Sequence, residues 1–169
     1  MEVYEGIRTV LAVREFQSKP VPNDVLHRVI ESARLTGSSM NRQPWHFVVV
    51  QNRDTLEQLG TLVSSGKYTA QAAFAVIVAI EKSSPFGVSD ASRAIQSMVL
   101  TAWSEGVGSN WTGWVGMTQV ATLLGVPESV DVIAVIPFGY PAHSRTQGKK
   151  RRKNLSEIAH QERFGQPFG

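Results

Sequence analysis

The feature that most constrains the fold is an uninterrupted apolar run from Ala72 to Ile80. A transmembrane helix needs about 20 consecutive apolar residues, and this run is far shorter. Its length and its β-branched residues are instead typical of a strand that is buried inside a domain. We therefore predict a buried strand over Phe74–Ile80 and expect a soluble chain with no membrane partner.

Three further strands and several helices are predicted around this run. The other predicted strands are Trp45–Gln51, Ser109–Thr112 and Val130–Phe138. Apolar residues at helical spacing predict helices at residues 2–12, from Asn23-Asp24 onward, at 54–63, at 68–73, from Ser89-Asp90 onward, at 117–124 and at 155–160. Because helices and strands alternate irregularly, the fold class is α/β or α+β with one mixed sheet. No repeat or linker divides the chain, so residues 1–169 are expected to form a single domain.

A short basic run accounts for the net charge of +3. Residues 149–153 supply five of the 17 basic residues, and the other twelve are outnumbered by 14 acidic residues. The positive charge is therefore local, and the run is either a solvated segment or a binding site for one anionic group. A nucleic-acid-binding module is the weakest hypothesis, because the charge is confined to one place and no aromatic residues are interleaved with it. We expect no nucleic-acid partner.

The residue types exclude several kinds of catalysis. The chain has no cysteine, which removes disulfides, thiolate nucleophiles and cysteine-bound zinc and permits a reducing compartment. The acidic start Met1–Glu5 lacks the layout of a secretion signal, so a cytoplasmic location is expected. The four histidines have no metal-binding spacing, and no serine lies in a G-x-S-x-G elbow. We predict no metal site, and a catalyst built this way would need a cofactor for its reactivity.

The pair Gly106-x-Gly108 is similar to half of a dinucleotide-binding fingerprint. The third glycine position is Trp111. The pair also follows a predicted helix and enters a strand, whereas the fingerprint follows a strand and opens a helix. We therefore reject a Rossmann fold and interpret the two glycines as a tight turn.

The loop from Gly37 to Trp45 is the most informative segment of the sequence. Its small hydroxyl and amide side chains offer hydrogen bonds to a polar ligand, and Pro44 stiffens the entry into the next strand. An ordinary capped loop would also explain this composition. The position of the loop between a helix and a buried strand favours a ligand site.

This loop resembles the Pro-Ser-Ser-x-Asn-x-Gln-Pro-Trp signature of the nitroreductase family, with Gly37 in place of the first proline. The matching residues are Ser38, Ser39, Asn41, Gln43, Pro44 and Trp45. Other segments resemble the family in the same order along the chain: Arg14 and Phe16 with the Lys19–Pro22 stretch, Gly106–Trp111 with Gly116, and the tail Lys150–Leu155. The resemblance covers nearly the whole chain, which is a stronger indication than any single motif.

The resemblance implies an α+β fold, an α/β/α sandwich in which helices flank a mixed central sheet. It also implies a domain-sharing homodimer with FMN sites at the subunit interface. Such an enzyme uses NADH or NADPH to reduce nitroaromatics, quinones or similar small electron acceptors. Its kinetics are ping-pong, because donor and acceptor alternate on one flavin face. No residue of the chain is implied as an acid or base in the hydride step.

The resemblance further implies which residues bind the cofactor. They are Arg14, Ser38, Ser39, Asn41, Gln43, Val115, Gly116, Lys150 and Arg152. Lys150 and Arg152 match the family's phosphate-binding tail, and Arg14 matches a cation near N1 and O2 of the flavin ring. The backbone of Val115 and Gly116 would approach flavin N5. The hydroxyl and amide side chains of the loop would reach the ribityl chain or the ring from the partner subunit.

Departures from the family limit what the resemblance implies. Val10 and Ala12 stand where the family usually has an arginine and a serine, and Arg8 is two residues away on a different helix face. FMN binding is therefore expected to be weakened, or the cofactor to be a relative such as a deazaflavin. The short connection between Ile80 and Asp90 predicts an open and permissive pocket.

Several alternatives stay open at the level of the sequence. Trp111 and Trp114 are either apolar walls beside the flavin or core residues. Neither NADH nor NADPH is favoured, because no residue that reads the ribose can be located. The leading hypothesis is an FMN-dependent reductase, and the second is a flavin- or deazaflavin-binding protein with weak or specialised redox activity.

Overall fold

The computed structural model describes residues 1–113, 117–143 and 150–169. Five α-helices lie in this part of the chain: α1 (Val3–Thr9), α2 (Asn23–Arg34), α3 (Arg53–Leu62), α4 (Gly87–Ser104) and α5 (Met117–Leu123). Four strands accompany them: β1 (Trp45–Val50), β2 (Phe74–Glu81), β3 (Gly108–Ser109) and β4 (Val130–Gly139). Short 3-10 helices cover Ser39–Asn41, Lys67–Gln71 and Leu155–Glu157. The predicted elements are thus present, with shifted ends.

The four strands form one sheet in the order β1-β2-β4-β3. Strand β2 lies between β1 and β4 and is antiparallel to both, and β3 is antiparallel to β4. The residues of β2 from Phe74 to Ile80 are buried, as the apolar run predicted. Alternate side chains of β2 enter two separate cores, with Val76 in one and Ile77 in the other.

Helices cover both faces of this sheet. The first core contains Val29 of α2 and Met98 of α4, and the second contains Leu59 of α3 and Val120 of α5. This arrangement confirms the α+β class and the flanking of the sheet by helices. Within the described ranges, no helix has the length and apolar character that a membrane crossing requires.

The prediction of a mixed sheet is corrected in one respect. The strand ladders of the described residues are antiparallel, and the parallel pairing among them is an isolated bridge between Ala12 and Ser109. At this bridge the Val13 amide donates to the Ser109 carbonyl at 2.9 Å. The spacing of apolar residues reports burial and does not report strand direction, so the sequence did not distinguish the two cases.

Two predicted elements end earlier than the sequence indicated. Helix α1 ends at Thr9 rather than at residue 12, because the chain becomes extended and Ala12 pairs with the edge of the sheet. The predicted strand Ser109–Thr112 is interrupted after Ser109. Thr112 instead makes a separate bridge with Val135 of β4, with backbone hydrogen bonds of 2.9 and 3.0 Å.

Helix α4 is the longest helix of the described chain and begins at Gly87, before the predicted cap Ser89-Asp90. The Ser89 hydroxyl donates to the Phe86 carbonyl at 3.0 Å, and Asp90 is buried inside the first turn. The predicted apolar face is otherwise confirmed: Ala91, Ala94, Ile95, Met98 and Ala102 are buried, and Val99 is half-buried. The helix has 18 residues and is therefore about 27 Å long.

Candidate cofactor site

The loop between α2 and β1 has an unusual backbone. Met40, Asn41 and Gln43 have φ values of 52°, 54° and 51°, in the left-handed region that residues with a Cβ rarely adopt. Met40 and Gln43 are less expected there than Asn41, because asparagine adopts this region more readily. Residues held in such conformations cluster at ligand sites, so the loop is a candidate binding element.

Hydrogen bonds within the loop show which of its side chains are engaged. The Ser38 hydroxyl accepts a hydrogen bond of 2.9 Å from the Gln43 backbone amide. The Gln43 side-chain amide donates to the Asn41 carbonyl at 3.3 Å and to Asn41 Oδ1 at 3.2 Å. Gln43 thus folds back on Asn41, and its predicted contact with a cofactor stays a prediction.

Asp90 at the start of α4 is the partner of this loop, and sequence reasoning missed it. Its side chain is buried, and both carboxylate oxygens accept from the Ser39 amide at 3.1 Å. Oδ1 also accepts from the Ser39 hydroxyl at 3.1 Å and pairs with the Arg93 guanidinium. The residues next to Asp90 in sequence indicate only a helix cap. They do not reveal its contact with Ser39, which lies 51 positions away. The one available signal was an acidic residue within an otherwise apolar helix face.

The basic tail lies against α1. The Lys150 ammonium donates to the backbone carbonyl of Ile7. The pKa of Lys150 lies below its usual value. The largest cause is partial burial of the ammonium, and the positive charges of Arg152 and Arg8 lower the pKa further. Arg8 in turn donates two hydrogen bonds of 2.9 Å to the Glu5 carboxylate. Three cations, hereafter the cation cluster of Arg8, Lys150 and Arg152, therefore gather beside α1.

This cluster changes the expectation for the first helix. The sequence predicted a shortage of cations, because Val10 and Ala12 replace polar residues of the family. Arg8 supplies a third positive charge close enough to Lys150 to lower its pKa, despite its different position on α1. Glu5 already pairs with Arg8, and a phosphate group would offset the positive charge that remains on the cluster.

Arg14 lines a surface pocket next to the end of α4. The pocket is formed by Leu11, Ala12, Val13, Arg14, Glu15, Trp103, Pro141 and His143. The Trp103 indole N–H donates to the Thr9 hydroxyl at 3.0 Å, which joins this pocket to α1 and so to the cation cluster. Glu15 Oε2 and His143 Nε2, both exposed, lie 2.8 Å apart. The sequence did not predict this pair.

Trp111 lies on the surface of the protein rather than in its core. It is 44% exposed and lines a second shallow pocket, so the core alternative for this tryptophan is wrong. The other residues of that pocket are Val10, Leu11, Ala12, Ile95, Gln96, Val99, Ser109 and Asn110. Trp114, Val115 and Gly116 lie outside the described residues, and the contact of the Val115–Gly116 backbone with flavin N5 stays a prediction.

The candidate residues that the structure describes form two groups at opposite ends of α4. The loop Ser38–Gln43 contacts Asp90 in the first turn, whereas Arg14 and the cation cluster lie near Trp103 in the last turn. Asp90 and Trp103 are separated by about 20 Å along the helix axis, at 1.5 Å per residue. A single chain therefore does not bring the two groups together.

The sequence matches known proteins over most of its length. The profile described as "Nitroreductase family" matches residues 8–82 and 67–140. A protein of Methanothermobacter thermautotrophicus named "Putative NADH dehydrogenase/NAD(P)H nitroreductase" is 35% identical over 152 residues, which cover 85% of this chain and 80% of that protein. A protein of the same name from Archaeoglobus fulgidus is 30% identical over 149 residues, with 83% and 86% covered.

The fold is shared with solved structures of the same group. The crystal structure of a protein of that same name from Bacteroides thetaiotaomicron has a TM-score of 0.87 at 28% identity, with 94% of this chain and 96% of that chain covered. Fold and sequence matches together define an oxidoreductase. The chain belongs to the nitroreductase family, which confirms the resemblance inferred from the Ser38–Trp45 loop.

Proposed function

We propose that this protein is an FMN-dependent oxidoreductase that uses NADH or NADPH to reduce nitroaromatics, quinones or similar small acceptors. The observation that carries the proposal is the cation cluster beside the Arg14 pocket. Burial lowers the pKa of Lys150 first, and the charges of Arg152 and Arg8 lower it further; an FMN phosphate would offset that repulsion. The names of the relatives from Methanothermobacter thermautotrophicus and Archaeoglobus fulgidus, which include NAD(P)H nitroreductase, support the choice of electron donor.

The described residues fit the two charged parts of FMN. Lys150 and Arg152 would hold the phosphate, with Arg8 turning toward it from Glu5. Arg14, which is exposed in its pocket, would place a positive charge near N1 and O2 of the ring. Bound FMN would supply the redox chemistry, taking hydride from NAD(P)H and passing electrons to the acceptor in a ping-pong scheme. The side chains of the protein would bind and orient, and none needs to act as an acid or base in the hydride step.

We propose further that two copies of the chain form each site. The loop contacts Asp90 and Arg14 shares a pocket with Trp103, and these two helix residues lie about 20 Å apart along α4. The loop of a second copy would therefore complete the site. Ser38 and Asn41 of the partner subunit would contact the ribityl chain or the ring, whereas Ser39 is held by Asp90. Exposed apolar residues near both ends of the chain suit such an interface: Val3, Tyr4, Leu155, Ile158, Phe164 and Phe168.

A second candidate is a flavin- or deazaflavin-binding protein with weak or specialised redox activity. Val10 and Ala12 favour this candidate, because they line the second pocket with apolar side chains where the family usually has an arginine and a serine. Fewer polar contacts would weaken the binding of FMN or suit a related cofactor.

Colour and turnover separate these candidates. Purified protein that is yellow, releases FMN on denaturation and oxidises NAD(P)H only when a nitro compound or quinone is added would support the first. Parallel lines in double-reciprocal plots would support its ping-pong scheme. Flavin binding without such turnover would favour the second candidate. Colourless protein that binds neither added FMN nor a deazaflavin would overturn both.

A further inference from the structure

We propose that Asp90 is a positioning residue that holds the Ser38–Gln43 loop in the conformation that binds the flavin. The proposal rests on the proposed function, because that function assigns the loop to cofactor binding. Asp90 itself would not touch the cofactor. It acts through Ser39, whose backbone amide and hydroxyl it fixes.

The carboxylate of Asp90 is committed to the loop rather than to its own helix. The residue is 0% exposed, and each of its oxygens accepts from the Ser39 amide at 3.1 Å. The Ser39 hydroxyl adds a further hydrogen bond of 3.1 Å to Oδ1. A carboxylate that capped α4 would instead accept from the first amides of that helix. The contacts therefore show that Asp90 joins two segments that are distant in sequence.

Arg93 offsets the negative charge of this buried group. It lies one turn further along α4, pairs with Asp90 Oδ1 and keeps 54% of its side chain exposed. Burying a carboxylate without a partner is costly, and a cation that reaches in from the surface reduces that cost. Hydrogen bonds to a charged acceptor are stronger than those between neutral groups, which suits a fixed anchor.

The loop needs an anchor of this kind. Three of its residues have left-handed backbones, and such conformations persist only when the surrounding structure holds them. Within the described part of the chain, the hydrogen bonds of residues 38–43 are internal to the loop except for those with Asp90. Among the hydrogen bonds of the described residues, those between Ser39 and Asp90 are therefore the ones that attach residues 38–43 to the body of the protein.

Asp90→Asn tests this role, with Asp54→Asn as the matched control. Asparagine keeps the shape of the side chain but replaces one acceptor oxygen with a donor group, so it cannot reproduce both bonds to the Ser39 amide. Asp54 also lies in the first turn of a helix, but it is exposed on α3. We expect the dissociation constant for FMN, measured by flavin fluorescence, to rise about tenfold in Asp90→Asn. The control should change it by less than about twofold.

Amide hydrogen exchange in the FMN-free protein separates positioning from a general loss of stability. We expect faster exchange in residues 38–43 of Asp90→Asn, while the amides of β2 keep their wild-type protection. If Asp90→Asn does not fold, Ser39→Ala removes the hydroxyl contact alone and should show a smaller increase in exchange that is still confined to residues 38–43.

The possible results distinguish this proposal from the proposed function. Unchanged FMN affinity in a folded variant would overturn the role of Asp90 and leave the proposed function standing. Lost affinity together with faster exchange throughout β2 would also overturn that role, because the effect would then be global. Wild-type protein that binds no FMN would overturn the proposed function, and the role of Asp90 with it.

Discussion

The indole N–H of Trp103 donates a hydrogen bond of 3.0 Å to the hydroxyl of Thr9. That hydroxyl also donates to the Glu5 carbonyl at 2.7 Å, so it serves as donor and acceptor at once. The bond joins the end of α1 to the last turn of α4. Because Lys150 is bonded to Ile7 in α1, the cation cluster and the pocket at Trp103 are tied to the same helix.

Thr9→Val is expected to lower the free energy of unfolding by about 1 kcal/mol, because it removes the acceptor of the Trp103 bond. Thr61→Val is the matched control. The Thr61 hydroxyl donates to the Glu57 carbonyl at 3.2 Å in the same i to i−4 manner, and the control should change stability by less than about 0.5 kcal/mol. Urea denaturation measures both variants. Equal effects would contradict a special contribution from the bond between Thr9 and Trp103.

Arg152→Ala and Arg8→Ala are each expected to weaken FMN binding about tenfold, because each removes a cation from the proposed phosphate site. Lys153→Ala is the control, since Lys153 is exposed and belongs to the same basic run. It should change the affinity by less than about twofold. Fluorescence titrations at low and high salt provide the measurement, and salt should reduce the difference. Small and equal effects in all three variants would mean that the tail is only solvated.

Binding of FMN is expected to raise the pKa of Lys150. In the FMN-free protein, burial and the charges of Arg152 and Arg8 lower it, and a phosphate would favour the charged form. Because the pKa of Lys150 is lower in the folded state than in the unfolded state, its charged form lowers the free energy of unfolding. This destabilisation is fully present below the folded pKa and disappears as the pH rises to the unfolded pKa.

NMR of lysine side chains labelled with carbon-13 follows this titration, and Lys150→Arg identifies the signal. A pKa of Lys150 that stays constant or falls when FMN binds would contradict the phosphate assignment.

Mixed dimers test whether the two halves of the site come from different copies. Asn41→Ala damages the loop and Arg152→Ala damages the cation cluster. If each site combines the loop of one subunit with the tail of the other, a mixed dimer contains one undamaged site and one doubly damaged site. Random pairing of equal amounts should therefore restore about a quarter of the wild-type FMN-binding capacity. No recovery in differently tagged copies that co-purify would contradict a shared site.

The strands of the central sheet could be predicted because their signal is local. Every position of Phe74–Ile80 is apolar, and burial on both faces of a strand requires that pattern. The ends of other elements depend on distant partners. Thr9 ends α1 because Ala12 pairs with Ser109, a residue that only the folded chain brings close. The direction in which two strands pair is not encoded in local spacing either, which is why the prediction of a mixed sheet was wrong for the strand ladders, all of which are antiparallel among the described residues.

The candidate site could be predicted where a local motif carries it. Ser38 and Lys150 belong to such motifs, and they were identified through the family resemblance. From the sequence of its own helix, Asp90 was interpreted as a helix cap. Arg8 was interpreted as a residue on a different face of α1 from Val10 and Ala12. Their contacts arise between segments that are far apart in sequence, so no local pattern reveals them.

In a dimer of the proposed kind, α4 becomes a spacer between two redox centres. Each copy of the helix would support one flavin through Asp90 and the other flavin through Trp103. Inserting a single residue between these positions would turn one end of the helix by about 100° relative to the other. Either Asp90 would lose its contact with the Ser38–Gln43 loop, or the Trp103 indole would leave the Arg14 pocket. Substitutions along α4 other than at Asp90, Arg93 and Trp103 are therefore tolerable where packing permits, whereas changes of its length are expected to separate both flavins from their supports.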